Sequence, residues 1–139
     1  MVDPINLRGS YGGNTYLHDA NTSVITLFNP NATSTAAQSL RASGVSGGSA
    51  YQVPVGYKLI IQTITITGEL GRFQVFDGGL DSSAGTLMFQ QWVGGSGGAG
   101  VGAAVTPVWV QFAAGDYVNV VIGNSAGGSL ICTGILTTV

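Results

Sequence analysis

Short runs of alternating apolar and polar residues, separated by glycine-rich segments, make up most of the chain after residue 50. The clearest run covers residues 57–67, where Ile60, Ile64 and Ile66 share one face and three threonines share the other. The alternation is broken at Gln62. A period of two residues is typical of a β-strand with one buried face. The pattern therefore predicts a long strand here.

Similar patterns predict further strands along the chain. They cover residues 23–28, 72–76, 86–93, 105–112, 117–122 and 130–138. Pro107 lies inside one of them and indicates an edge strand or a bulge. Large residues occupy both faces of residues 86–93 and 105–112, so Trp92 and Trp109 fall on faces that need cover beyond the core. We expect a neighbouring subunit to supply it, because large exposed apolar patches mark interaction sites.

The first 50 residues are less regular. The sequence Asn29-Pro30-Asn31 ends the first predicted strand, because proline lacks an N–H for the ladder and asparagine favours turns. Residues 36–42 are compatible with a short helix or with a loop, and the loop is favoured. Seven or eight strands at even spacing, with no firm helix, predict an all-β sandwich or barrel.

We divide the chain into an extended N-terminal arm, residues 1–22, and a single β-sandwich domain, residues 23–139. The arm has no sustained period but contains spaced large side chains, which we predict to be interface residues. These are Ile5, Leu7, Tyr11, Tyr16 and Leu17. The alternative interpretation is a disordered tail, which is common at chain ends.

Charge is unusually scarce in this chain. Charged residues make up 7% of the sequence, against about 25% in a typical globular domain. The four basic residues are scattered, which argues against nucleic-acid binding and against a polybasic membrane surface. No stretch approaches the ~20 apolar residues of a membrane span. The N-terminus lacks the pattern of a signal peptide, so we expect synthesis and retention in the cytoplasm, or release by lysis.

Two segments carry a family resemblance. The sequence Val-Pro-Val-Gly-Tyr-Lys-Leu-Ile-Ile at residues 53–61 resembles the start of a core strand in viral jelly-roll domains. The sequence Phe-Ala-Ala-Gly-Asp-Tyr-Val-Asn-Val at residues 112–120 resembles a turn before a later strand of such folds. Together with the scarce charge and the arm, the chain is most similar to small jelly-roll decoration (cement) proteins of tailed bacteriophages. The resemblance covers residues 51–139 and implies a jelly-roll-like antiparallel β-sandwich of seven to eight strands with an extended N-terminal arm.

The resemblance implies a structural protein of the virion. Proteins of this class form homotrimers on the capsid exterior and hold the major capsid protein, which implies synthesis in the host cytoplasm and no cofactor. The alternative is a receptor- or carbohydrate-binding head of a phage fibre, or a lectin-like module, using exposed aromatic residues. A fibre head usually follows a repetitive shaft, and this sequence contains none.

The sequence offers little for catalysis. The single histidine, His18, lies outside the predicted strands, and no Gly-x-Ser-x-Gly motif is present. We therefore predict no catalytic residues and no enzyme. The single cysteine, Cys132, lies in an apolar run and is interpreted as a buried hydrophobic residue. Asp77 and Asp81 lie in a Gly/Ser loop and are candidate calcium ligands, although capping of a turn is the favoured interpretation.

Overall fold

The computed structural model describes residues 22–32, 34–42, 49–94, 101–123 and 127–139. Within these ranges the chain forms strands and no helix, which confirms the predicted all-β class. The strands are β1 (Thr22–Phe28), β2 (Gln38–Ser39), β3 (Arg41–Ala42), β4 (Tyr57–Glu69), β5 (Gly71–Phe76), β6 (Leu87–Val93), β7 (Val101–Phe112), β8 (Asn119–Gly123) and β9 (Gly128–Thr138). The predicted arm lies outside the described residues, except for Thr22, which begins β1.

The strands form two antiparallel sheets packed as a β-sandwich. The five-stranded sheet has the order β3-β1-β9-β4-β7, and the four-stranded sheet has the order β2-β8-β5-β6. Apart from the short β3, the strands pair from the outside inwards: β1 with β9, β2 with β8, β4 with β7 and β5 with β6. A long antiparallel hairpin rolled over on itself gives this nested pairing. It is the jelly-roll arrangement predicted from the sequence.

The core lies between the two sheets. It is built from inward side chains of both sheets, and its largest fully buried members are Phe73 and Phe112. Fully burying one such side chain contributes about 1.5–3 kcal/mol. The scarce charge of the chain is consistent with this interior, because none of the described charged residues has a fully buried side chain.

The face assignment of β4 needs a correction. The pairing of β4 with both β7 and β9 shifts in register between Ile61 and Thr63. A bulge at this point exchanges the faces, so Leu59 and Ile61 join Ile64 and Ile66 in the core cluster. Ile60 is buried but lies outside that cluster. The predicted grouping of Ile60 with Ile64 and Ile66 is therefore wrong.

The segment between β1 and β4 also differs from expectation. The helix considered for residues 36–42 is wrong, because β2 and β3 occupy this segment on either side of Leu40. Leu40 is fully buried, and its backbone N–H donates to the carbonyl of Val118 at 2.8 Å. The chain crosses from one sheet to the other here, and tertiary pairing overrides the weak local preference.

Candidate interaction surface

One side of the sandwich ends in two long free strands. Within the described residues, β6 pairs only with β5 and β7 pairs only with β4. The two strands meet where the hydroxyl of Thr106 donates to Oε1 of Gln91 at 2.7 Å. We call residues 87–93 and 101–112 the β6–β7 edge. The opposite side of the sandwich ends in β2 and β3, each of two residues.

The β6–β7 edge is uncharged and carries both tryptophans. Neither strand contains an Asp, Glu, Lys or Arg. Trp92 is 64% exposed and Trp109 is 62% exposed. Trp92 lies on the outer face of the four-stranded sheet opposite Arg72, and Trp109 lies on the outer face of the five-stranded sheet. The two indoles therefore flank the same edge from opposite faces of the sandwich.

The core is only partly closed along this edge. Phe89 of β6 and Val108 and Val110 of β7 pack against the core cluster but remain partly exposed. The predicted alternation of β7 is confirmed here, since Phe112 is buried and Trp109 points outward. A partner that covered the edge would complete the burial of these side chains and would gain apolar contact.

The outer face of the five-stranded sheet is also uncharged over its central rows. One cross-strand row contains Thr26, Thr133, Thr63 and Pro107. The next row contains Phe28, Ile131, Thr65 and Val105, of which Val105 is 69% exposed. Threonine and β-branched side chains give this face a flat, low-charge surface that costs little to desolvate.

The loop between β5 and β6 holds the two candidate calcium ligands. Oδ1 of Asp77 accepts the backbone N–H of Thr86 at 2.6 Å and closes the loop. Oδ1 of Asp81 accepts the N–H of Ser39 at 2.8 Å, while the N–H of Asp81 donates to the Ser39 hydroxyl at 2.8 Å. Both carboxylates thus accept backbone N–H groups, and that of Asp81 accepts from a strand 42 residues away. The described residues contain no cluster of three or more His, Cys, Asp or Glu that could hold a metal ion.

A second polar contact anchors the same loop. Asn119 is fully buried in β8, and its Nδ2 donates to the carbonyl of Gly79 at 2.8 Å. The Ser39 hydroxyl donates in turn to Oδ1 of Asn119. Asp81 has a positive φ of 49°, a conformation that asparagine and aspartate tolerate better than most residues. The loop is therefore a rigid structural cap over β2 and β8.

An open pocket of about 370 Å³ lies beside this loop. Its lining includes Arg41, Leu80, Asp81 and Tyr117. Nε of Arg41 is buried and has no hydrogen-bond partner within the described residues. Sequence reasoning missed this pocket, because its residues come from three segments that are distant along the chain.

Of the remaining candidate residues, the structure describes Cys132 but not those of the arm. Cys132 is fully buried, and burial raises its pKa to about 12, so it is a core residue as interpreted from the sequence. The arm residues Ile5, Leu7, Tyr11, Tyr16 and Leu17, together with His18, lie outside the described residues. In the part of the chain that is described, no helix is long and apolar enough to cross a membrane.

No protein-family model matches the sequence, and no curated protein matches it either. The surface of the sandwich is therefore the feature from which a function can be inferred.

Proposed function

We propose that this protein is a structural protein that assembles with copies of itself and decorates the exterior of a bacteriophage capsid. In this proposal it forms a homotrimer and binds the major capsid protein. The observation that carries the proposal is the β6–β7 edge, two neighbouring free strands without charge that expose Trp92 and Trp109. A domain that acted alone would gain nothing from keeping two indoles in water.

The physical chemistry of the surface favours association with protein. Tryptophan is enriched at interfaces and dominates their energetics, and charged side chains are depleted from interface cores. A standard interface buries about 1,600 Å² in total. On a closed shell, many identical contacts add avidity, because each bound contact raises the effective concentration of the next.

The test is the copy number of this protein in purified particles from its source. Quantitative mass spectrometry would compare it with the major shell protein. We expect a ratio near one or a simple fraction of one, because a decoration protein covers the lattice. A few copies per particle, or none, would contradict a decoration role.

A second candidate function is supported by the aromatic residues and the pocket. Exposed Trp92 and Trp109 can stack on sugar rings, and the pocket combines Tyr117 with the charged groups of Arg41 and Asp81. Such a combination suits a carbohydrate-binding head. Glycan-array binding that is lost on Tyr117→Ala would favour this function, whereas an empty array together with lattice copy number would favour the capsid role.

A further inference from the structure

The two edge strands differ in how they are protected against pairing. Strand β7 contains Gly102 and Pro107, and proline is a common device that blunts a free edge. Strand β6 reads Leu-Met-Phe-Gln-Gln-Trp-Val and has no proline, no glycine and no charge. Its register against β5 shifts between Val75 and Phe76, where Met88 is the extra residue. Residues 89–93 form a regular neutral edge, and such an edge accepts another strand. Strands β2 and β3 are too short to do so.

We propose that β6 pairs antiparallel with β6 of a second copy about a two-fold axis. The contact joins the two four-stranded sheets into one continuous sheet of eight strands. This inference deepens the self-assembly part of the proposed function and rests on it, but it does not require a capsid. Trimers joined through β6 would form particles with an even number of chains.

The register follows from the need to keep both cores on the same side of the joined sheet. Residues that lie opposite each other in an antiparallel pair have their side chains on the same face of the sheet. Because side chains alternate between faces, a two-fold axis normal to the sheet pairs residues whose numbers sum to an even value. An axis at Gln90 pairs residues 89–91 with their copy, because the faces of β6 alternate regularly only from Phe89 onwards. It places Phe89 opposite the partner's Gln91 and Gln90 opposite the partner's Gln90.

A glutamine pair already present in the sheet supports this axis. Nε2 of Gln74 in β5 donates to Oε1 of Gln90 at 2.9 Å. Within the described residues, the amide N–H groups of Gln90 have no partner of their own. Across the two-fold axis the two Gln90 amides meet and extend the row to four glutamines, an arrangement that stabilises stacked strands.

A second copy also fits the edge electrostatically. The strand carries no charge, so pairing it with itself places no like charges opposite one another. The neighbouring Arg72 lies on β5, one strand away from the new contact. A charged foreign strand would gain no complementary partner on β6, whereas an identical strand matches its length and its polarity.

The experiment is sedimentation velocity of the full-length protein at micromolar concentration. We expect an even number of chains for the wild type. Gln90→Lys should raise the dissociation constant of the two-fold contact at least about ten-fold at low salt, and high salt should partly restore association. The matched control is Val55→Lys in the turn before β4, which changes a 91% exposed valine outside the β6–β7 edge and should leave the mass unchanged. Circular dichroism would check that both variants fold.

Disulfide trapping gives an independent readout. Gln90→Cys should form a covalent dimer under mild oxidation, while Val55→Cys should not, and the native Cys132 is buried and does not interfere. A monomeric or odd-numbered wild type would overturn the inference, as would an unchanged mass for Gln90→Lys. If deletion of residues 1–21 abolished association to the same extent, the N-terminal segment and not a second copy of β6 would be the partner of β6. That result would also overturn the inference. Copy number on the capsid is measured separately, so the proposed function can fail while the two-fold contact stands.

Discussion

At the scale of single residues, Asn29 extends the pairing of β1 and β9 with its side chain. It is buried, its Nδ2 donates to the carbonyl of Gly128 at 2.9 Å, and its Oδ1 accepts the N–H of Leu130 at 2.9 Å. We expect Asn29→Ala to lower the free energy of unfolding by about 1–3 kcal/mol, because it leaves buried backbone groups without partners. Urea denaturation measures this.

A matched control for Asn29 is Gln52. Its Nε2 also donates to a glycine carbonyl, that of Gly115 at 2.9 Å, but this contact is exposed. Gln52→Ala should therefore change stability by less than about 0.5 kcal/mol, since water replaces the lost partner. Equal effects of the two substitutions would show that burial does not determine the contribution of Asn29.

Cys132 gives a prediction for alkaline pH. Burial raises its pKa from the ordinary 9.0 to about 12, so the folded chain keeps the thiol protonated where the unfolded chain loses the proton. Below pH 9 the thiol is protonated in both states, and the folded chain keeps its full stability. Stability is lost as the pH rises from 9 towards 12, because only the unfolded chain then releases the proton. Between these values the thiol should lower stability by about 1.4 kcal/mol per pH unit. Chemical denaturation from pH 8 to 11 would compare the wild type with Cys132→Ala.

The alanine variant is the internal reference for that experiment. It carries the same tyrosines and lysine, so their titration cancels in the difference between the two proteins. The stability advantage of the wild type should shrink above pH 9. A difference that stays constant with pH would contradict the assigned pKa. In the wild-type protein, Cys132 should resist thiol reagents at pH 8 and react fully in denaturant.

At the scale of strands, the β4 bulge requires glycine on its neighbour. A Cβ added at Gly134 of β9 would lie 2.1 Å from the carbonyl oxygen of Ile60 and 2.8 Å from Cα of Ile61. Both atoms belong to the backbone of β4, directly before the register shift. We expect Gly134→Ala to lower the free energy of unfolding by at least about 3 kcal/mol or to prevent folding, because backbone in a central strand cannot move away.

Gly79 provides the control for Gly134. A Cβ at Gly79 would meet nothing within 4 Å. Gly79→Ala should be neutral or slightly stabilising, because it reduces the freedom of the unfolded chain. Thermal denaturation of both variants tests the assignment, and similar melting temperatures would argue that β9 can separate from β4 at this point.

The strands also show how far sequence patterns reach. Period-two alternation located β4, β5, β8 and β9 to within two or three residues at each end, because one face of each is buried. It failed at Gln62, since a bulge changes the face without changing the composition. It also missed residues 101–104, which precede the predicted strand 105–112 and pair with β4. The pairing between strands depends on distant parts of the chain, and local composition does not contain that information.

At the scale of the whole molecule, the sequence predicted the outward-facing tryptophans of the candidate surface but not the arrangement of the strands that carry them. Alternation on both faces of residues 86–93 and 105–112 identified Trp92 and Trp109 as outward-facing. It gave no sign that the two strands lie side by side at one edge, because that follows from the nested pairing of the jelly roll. The contacts of Asp81 with Ser39, which is 42 residues away, were hidden for the same reason.

The last prediction concerns the N-terminal segment. The first described strand begins with Thr22, which pairs with Thr137 of β9. We expect deletion of residues 1–21 to leave the melting temperature within a few degrees of the full-length value, because the described pairing and core need none of them. Binding to capsids that lack this protein should be lost in a co-sedimentation assay, because the proposed arm supplies that contact.

Deletion of residues 130–139 is the contrasting control: it removes the strand between β1 and β4 and should abolish folding. A truncated protein that folds and still binds capsids at full level would assign shell binding to the sandwich surface instead.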